Sequence, residues 1–75
     1  MSKLPRITGR EAVSALSRVG FVLVRTRGSH HYLYHREKNR IVTVPVHSGE
    51  TLAPKTLKSI LVQADLTVDE LIPLL

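Results

Sequence analysis

Apolar residues near the start of the chain recur at the spacing of a helix. They form one stripe: Ala12, Val13, Leu16 and Val19. Thr8 is a suitable N-cap, and Glu11 stands three residues later, where it completes a capping box. Gly20 is typical of a helix C-terminus, and Arg10 and Arg18 fall outside the stripe, so they should meet water. The pattern therefore predicts an amphipathic helix with one buried face.

Three short runs rich in β-branched and aromatic residues follow, separated by turn-forming residues. They cover residues 21–26, 30–35 and 41–46. The stretch "RGS" divides the first run from the second, and the charged stretch "REKNR" divides the second from the third, as in successive hairpins. Pro45 cannot donate a hydrogen bond to a neighbouring strand, so the third strand should lie at a sheet edge or end there.

Two further helical segments close the chain. Pro54 suits the first turn of a helix. That helix has a stripe of four apolar residues: Leu57, Ile60, Leu61 and Ala64. Thr67 and Glu70 repeat the capping-box pattern, and Pro73 limits the short helix that they open. We expect an α+β domain of order α-β-β-β-α, in which a three-stranded antiparallel sheet carries both main helices on one face and all apolar stripes are buried together.

The length of 75 residues allows one domain, residues 1–75, with a single small core. The chain has no cysteine, which excludes disulfides and thiolate metal sites and fits a reducing compartment. Its first ten residues contain no apolar run long enough for a signal peptide or a membrane span. We therefore expect a soluble cytoplasmic protein that does not bind membranes.

Basic residues are concentrated in the first four-fifths of the chain. All eleven Lys and Arg residues lie at or before Lys58, together with three acidic residues, so this part has a net charge of +8. From Ser59 onward there are three acidic residues and no basic ones, a net charge of −3. A small body this basic attracts polyanions, and nucleic acid is the commonest of these inside cells. Solubility is the simpler explanation of such a surface, so charge alone indicates no particular activity.

The segment "GSHHYLYH" at residues 28–35 contains three of the four histidines and both tyrosines. A metal site is disfavoured there, because His30 and His31 point to opposite faces of a strand, and His31 and His35 lie roughly 13 Å apart along it. A serine–histidine nucleophile is weakly supported, because Ser29 is explained by a turn and no acid stands where it would orient an imidazole. Packing or surface hydrogen bonding is the usual role of a single histidine on a sheet.

The same segment also holds the groups that ribonuclease chemistry needs. A turn brings His30 near Arg25 and Arg27, and an imidazole can give or take a proton near neutral pH. Arginine binds phosphate through two parallel hydrogen bonds, and tyrosine stacks on bases. These residue types fit a ribonuclease and a passive RNA-binding face equally well.

The chain resembles the HicA toxins of HicA–HicB toxin–antitoxin pairs over nearly its whole length. The similarity rests on successive blocks in the order found in that family: "RVGF", "RGSHHYLYH", "RIVTVPVHSGE" and "PKTLKSILVQADLT". Family members have a Gly-Ser-His turn, a Val-Pro-His-type strand end and a final helix that opens near Pro and Thr. The resemblance implies a fold like the double-stranded-RNA-binding domain. It also implies an endoribonuclease that cuts messenger RNA until a HicB-type antitoxin covers it. A histidine that acts as general acid or base could cleave RNA without a cofactor.

The resemblance assigns the essential histidine of the family, which follows Gly-Ser, to His30. Three neighbours are then possible supporting residues: Gly28, Ser29 and His31. Three cations are candidates for binding the phosphate of RNA: Arg25, Arg27 and Lys55. Lys55 has the positive end of the second main helix beside it. The chain departs from the family in a longer loop, "HREKNR", which lacks the proline that often follows the histidine at its start.

Two other classes of function fit the same features. A non-catalytic RNA-binding module explains the charge and the fold, and a protein-interaction domain explains the basic surface through an acidic partner. Cleavage of RNA would distinguish the enzyme from both, and an RNA affinity that falls with salt would distinguish the binding module from the interaction domain.

Overall fold

The computed structural model describes residues 3–75. Helix α1 (Gly9–Arg18) is followed by three strands and two helices. These are β1 (Val22–Arg27), β2 (His30–His35), β3 (Arg40–Pro45), α2 (Pro54–Ala64) and α3 (Val68–Leu71), with a 3-10 turn at Ile72–Leu74. The strands form one antiparallel sheet in the order β1-β2-β3. The predicted α+β fold, α-β-β-β-α with a short C-terminal helix, is therefore confirmed.

Helix α1 has the capping box that the sequence predicts. The hydroxyl oxygen of Thr8 accepts a hydrogen bond from the N–H of Glu11 at 3.2 Å, and Glu11 Oε1 accepts one from the N–H of Thr8 at 2.9 Å. Gly20 follows the helix with a φ of 101°, which residues with a side chain rarely adopt. Arg10 and Arg18 are exposed, as predicted.

Strands β1 and β3 each differ by one residue from their predicted bounds. Phe21 precedes β1 because it is buried in the core where α1 connects to the sheet. Arg27 belongs to β1 because it pairs with β2 across a two-residue turn, and Arg40 begins β3 because it pairs with His35. Pro45 ends β3 at a sheet edge, as predicted.

One residue of β2 decides which face of the sheet meets the helices. Leu33 is fully buried together with Val42 and Val44 of β3, so these residues face the helical layer. Side chains alternate between the two faces of a strand. The other face, which none of the helices within residues 3–75 covers, therefore receives three side chains of β2: His30, Tyr32 and Tyr34.

The core lies between the sheet and the two main helices. Helix α2 contributes the whole of its predicted stripe: Leu57, Ile60, Leu61 and Ala64. The stripe predicted for α1 is only partly right. Ala12 and Leu16 are buried, but Val13 and Val19 are half-buried, and Ala15 is completely buried although the pattern did not include it.

Helix α1 begins in direct backbone contact with the end of β3. A Cβ atom at Gly9 would overlap the carbonyl oxygen of Pro45 and would lie 3.0 Å from the Cα of Val46. Only glycine leaves enough room for this approach. Beside it, the N–H of Leu52 donates to the carbonyl of Ile7 at 2.7 Å. The segments that precede α1 and α2 are thus joined at this end of the sheet.

Cationic side chains hold the carboxyl end of α2 against the start of β3. Lys38 Nζ donates to the carbonyl of Ala64 at 3.3 Å, and Arg40 Nη1 donates to that of Gln63 at 3.3 Å. Cations stabilise a helix at this end, because its last carbonyls carry partial negative charge. Gln63 also reaches back to β3, where its Oε1 accepts a hydrogen bond from the N–H of Thr43 at 2.9 Å.

The short helix α3 closes the core with a second capping box. Thr67 and Glu70 exchange hydrogen bonds at 2.9 and 3.1 Å. The backbone N–H of Thr67, more than its hydroxyl, lowers the pKa of Glu70. Leu71 is buried in the core, so the acidic end of the chain is part of the fold.

Candidate functional site

A two-residue turn joins β1 to β2 and sets the position of two adjacent histidines. Gly28 has a φ of 58°, which favours glycine, and Ser29 follows it. The carbonyl of Ser29 accepts a hydrogen bond of 2.7 Å from the N–H of Val46, just after β3. The turn is therefore tied to the far side of the sheet, and the residue after it has a defined position.

The strand register brings His30 together with two arginines. His30 is exposed at the first position of β2 and pairs with Arg27 on one side and Pro45 on the other. Arg25 pairs with Tyr32, two residues further along. Paired residues of antiparallel strands point to the same face, with Cβ atoms about 4.5–5.5 Å apart. We call this group the basic sheet face, formed by Arg25, Arg27, His30, Tyr32 and Tyr34.

The basic sheet face combines accessible charge with aromatic surface. Both arginines are exposed, and both tyrosines are partly exposed. The hydroxyl of Tyr34 donates to Asn39 Oδ1 at 3.1 Å, which holds its ring beside the β2–β3 turn. Guanidinium groups bind phosphate, and aromatic rings stack on unpaired bases. The face therefore has the groups needed to hold a single strand of nucleic acid.

His31 lies on the opposite face of the sheet, toward the helices. Its ring is half-buried, and Nδ1 is 3.2 Å from the carbonyl oxygen of Ser29. A carbonyl oxygen can only accept, so Nδ1 carries the proton of this hydrogen bond, and in the neutral ring Nε2 is left as an acceptor. His30 and His31 point to opposite faces, as the sequence predicts, so they cannot ligate one ion together.

His35 is a structural residue that joins three elements. Its Nε2 lies 3.0 Å from the carbonyl oxygen of Val19, after α1, and its Nδ1 accepts a hydrogen bond of 3.1 Å from the N–H of Lys38 in the β2–β3 turn. The ring also packs edge-on against Phe21, with centroids 5.0 Å apart. Because both nitrogens are used within the fold, His35 has the packing role that is usual for a histidine on a sheet.

Replacing His35 with alanine is expected to lower the free energy of unfolding by about 1–3 kcal/mol, because two backbone groups lose their partner. Urea denaturation followed by circular dichroism measures this change. Tyr34→Phe is the matched control, since it removes an exposed hydrogen bond next to the same turn and is expected to change stability by less than about 0.5 kcal/mol. Equal stability of the His35→Ala variant and the unmodified chain would contradict the structural role.

The predicted phosphate-binding cations do not all lie on the same side of the sheet. Lys55 is exposed in the first turn of α2, in the helical layer. The amino end of α1 lies against the end of β3, and the carboxyl end of α2 lies against its start. The amino ends of both helices therefore point toward the β1–β2 turn. Arg25 and Arg27 lie with His30, whereas Lys55 lies on the side of His31.

Four apolar side chains of the sheet are exposed, against the expectation that every apolar stripe would be buried. They are Val22 (62%), Leu23 (46%), Val24 (56%) and Ile41 (58%). The run "FVLV" is typical of a strand covered on both faces, but the two main helices cover one face only. The number of long helices was the signal that could have predicted the exposure of Val22 and Ile41, because one helical layer leaves the other sheet face open. Leu23 pairs with Leu33 on the helical face, so its exposure follows from its place on the edge strand β1.

The described residues form neither a metal cluster nor a helix that could span a membrane. Within residues 3–75, no three His, Cys, Asp or Glu side chains come close enough together to hold a metal ion. His47 Nδ1 and Glu50 Oε2 lie 3.9 Å apart, but both side chains are exposed. None of the helices in this part of the chain is long and apolar enough to cross a membrane.

The element order, the antiparallel sheet and the one-sided packing of the helices define an α+β domain with a fold like the double-stranded-RNA-binding domain. The family model of the HicA toxin of bacterial toxin–antitoxin systems matches residues 9–66, from the start of α1 to just beyond α2. The chain belongs to this toxin family, as the sequence resemblance predicts. The family implies a cognate antitoxin as partner. No protein with a curated description matches the chain.

Proposed function

We propose that the chain is an endoribonuclease that cuts messenger RNA in the cytoplasm and stops translation until a HicB-type antitoxin covers it. Membership of the toxin family supports the toxic role. One observation carries the nuclease assignment: the register of β1 and β2 sets the exposed His30 beside two arginines. A proton-transfer group and phosphate-binding groups thus share one accessible surface.

The proposed reaction uses the nucleophile that RNA itself supplies. The 2′-hydroxyl attacks the adjacent phosphorus, and the bond from phosphorus to the 5′-oxygen breaks. The products are a 2′,3′-cyclic phosphate and a 5′-hydroxyl. A base must take the proton of the 2′-hydroxyl, and an acid must give one to the leaving oxygen. His30 serves in one of these roles, and a general acid or base contributes about 10²–10⁴-fold to the rate.

The two arginines supply the charge that this reaction requires. Negative charge accumulates on the phosphate oxygens in the transition state, and positively charged donors placed beside them lower the barrier. Arg27 lies directly across from His30, and Arg25 lies one pair further along the same face. Tyr32 follows His30 on this face, where it can stack on a base and orient the strand. This chemistry needs no cofactor.

His31 is the alternative proton-transfer group in the chain. Its ring has a fixed orientation and lies on the side of Lys55, but it is half-buried and the two β1 arginines are on the other face. We therefore assign catalysis to His30. His31 supports the turn together with Gly28 and Ser29. The carbonyl of Ser29 accepts hydrogen bonds from Nδ1 of His31 and from the N–H of Val46.

A non-catalytic RNA-binding module is the second candidate function. The observation that favours it is that the basic sheet face contains a single imidazole, although a base and an acid are both needed for cleavage. Such a module would hold RNA by its phosphates and bases without breaking it, and its affinity would fall steeply as salt concentration rises.

The two functions are separated by incubating the purified chain with an end-labelled transcript in EDTA at neutral pH. We expect fragments that end in a 2′,3′-cyclic phosphate, identified by their resistance to phosphatase before acid treatment. An intact transcript with retarded mobility would contradict the nuclease and support the non-catalytic binding module. An intact transcript that is not retarded, even at low salt, would contradict both functions.

A further inference from the structure

We infer that the free edge of β1 is the docking site for an extended, acidic strand of the antitoxin, which adds to the sheet beside β1. This inference rests on the proposed function, because it describes how a partner would cover the basic sheet face. The partner is defined by its chemistry: a β-strand with carboxylates facing Arg25 and Arg27 and apolar side chains facing Val22 and Val24.

The two edges of the sheet differ in how they are protected. At the β3 edge, Pro45 has no N–H to offer, and Gln63 already accepts the N–H of Thr43 at 2.9 Å. Proline and covering side chains are the usual means of keeping an edge from pairing with another chain. All six residues of β1, by contrast, are exposed. The sheet is therefore closed to strand addition on one side and open on the other.

The register identifies which backbone groups of β1 point outward. Thr43 directs its N–H away from β2, so its partner Tyr32 directs its backbone groups toward β1, and Arg25 directs its own back toward Tyr32. Backbone groups alternate between the two sides of a strand. The N–H and carbonyl of Thr26 therefore face outward, where a further strand could pair with them. Leu33, next to Tyr32, directs its backbone groups toward β3, so its partner Leu23 across the bulge directs its own outward as well.

The side chains of β1 favour an acidic occupant. Arg25 and Arg27 follow the exposed Val22 and Val24 along the strand, so the edge has an apolar half and a cationic half. Opposite charges on neighbouring strands stabilise a pair, and like charges destabilise it. The β-bulge between Leu23 and Arg25 bends the edge, which disfavours pairing with a regular strand that does not match this bend.

Two other occupants of this edge, a second copy of the chain and RNA, fit its features less well. If β1 paired with β1 of a second copy, the arginines of both copies would share one two-stranded ladder and repel each other. RNA would engage the arginines, but it would leave the outward backbone groups of Thr26 and Leu23 and the exposed Val22 without partners. An acidic strand satisfies all three features at once.

The experiment uses two short synthetic peptides as probes, one alternating glutamate with valine and threonine, the other with lysine in place of glutamate. We expect the glutamate peptide to bind and to slow hydrogen exchange at the amides of Leu23 and Thr26, observed by NMR. Thr26→Pro should weaken this binding about tenfold or more, because the outward N–H is lost. The substitution should leave RNA cleavage unchanged, because an N–H that faces solvent is not needed for the sheet.

Thr26→Val is the matched control, since it keeps the N–H and the branched shape and should bind the glutamate peptide normally. The double variant Arg25→Glu, Arg27→Glu should reverse the preference and bind the lysine peptide. No binding at millimolar peptide, equal binding of both peptides, or full affinity after Thr26→Pro would overturn the inference. If the unmodified chain forms a dimer and the Thr26→Pro variant is a monomer, the inference would also be overturned, because β1 of a second copy would then be the occupant of this edge. A retarded RNA band that Thr26→Pro abolishes would overturn it in favour of RNA.

The docking inference and the proposed nuclease fail in different ways. Peptide binding at β1 by a chain that leaves RNA intact would support the docking edge and contradict the nuclease. Cleavage of RNA by a chain that ignores the glutamate peptide would contradict the docking edge and support the nuclease. If both proposals hold, the glutamate peptide should inhibit cleavage in proportion to its occupancy of β1.

Discussion

Replacing His30 with alanine is expected to lower the rate of RNA cleavage by about 10²–10⁴-fold, the usual contribution of a general acid or base. The fold should be kept, because the side chain is exposed at the first position of β2 and lies outside the core. Single-turnover cleavage of a labelled transcript measures the effect, and circular dichroism confirms that the variant is folded. Expression of the variant in bacteria should no longer arrest growth.

His31→Ala is the control that decides between the two adjacent imidazoles. It removes a half-buried ring that is bound to Ser29 on the opposite face. We expect cleavage to stay within about tenfold of the unmodified rate, because loss of a general acid or base costs about 10²–10⁴-fold and the proposal gives His31 no such role. The reverse result, with His30→Ala active and His31→Ala inactive, would move catalysis to the helical side of the sheet, where Lys55 lies. Full activity in both variants would exclude both histidines.

Replacing Gly9 with alanine is expected to destabilise the fold by about 1–3 kcal/mol, the usual cost of overpacking. Helix propensity alone predicts the opposite sign, because alanine is better than glycine within a helix by about 1 kcal/mol. The contact decides the sign, since the added Cβ would meet the backbone of Pro45 and Val46. A backbone held in a sheet cannot rotate aside as a flexible side chain does. Each kcal/mol should lower the melting temperature by about 4–8 °C.

Ser14→Ala is the matched control for Gly9→Ala on the same helix. Ser14 is exposed on α1, so alanine there changes helix propensity without a clash and should leave stability unchanged or raise it by a few tenths of a kcal/mol. Differential scanning calorimetry of both variants makes the comparison. A melting temperature for Gly9→Ala that equals or exceeds that of the unmodified chain would show that α1 can move away from β3 without loss.

The elements of the fold could be predicted from the sequence because their boundaries are marked by local chemistry. The capping boxes at Thr8 and Thr67, the turn at Gly28 and the proline at the start of α2 each act within a few residues, and all are present. The bounds of β1 and β3 differ by one residue, because strand ends depend on pairing with residues elsewhere in the chain. Arg27 and Arg40 are polar, yet each has a partner on β2.

The orientation of the sheet could not be predicted from the sequence, because it depends on packing between distant elements. Alternation along β2 separates two groups of side chains, but Leu33 and the two tyrosines give conflicting indications of which group is buried. The contact with Val42 and Val44 decides it. The same limit applies to the candidate site: the turn and its histidines are visible in the sequence, whereas the grouping of Arg27 with His30 follows from the register. The place of Lys55 on the helical side follows from the packing of α2 on the sheet.

The strictly sequential pairing of the three strands has a consequence for the timing of toxicity. A sheet built only from neighbouring hairpins has mostly local contacts, and such small mixed domains fold in about a second or less. Synthesis of 75 residues takes about 4–15 s at bacterial rates, and the core is complete only when Leu71 has emerged. The core therefore cannot be completed before Leu71 is available, and we expect the domain to become native within about a second afterwards. We therefore expect protection to be most complete when the antitoxin is already present as translation of the toxin ends.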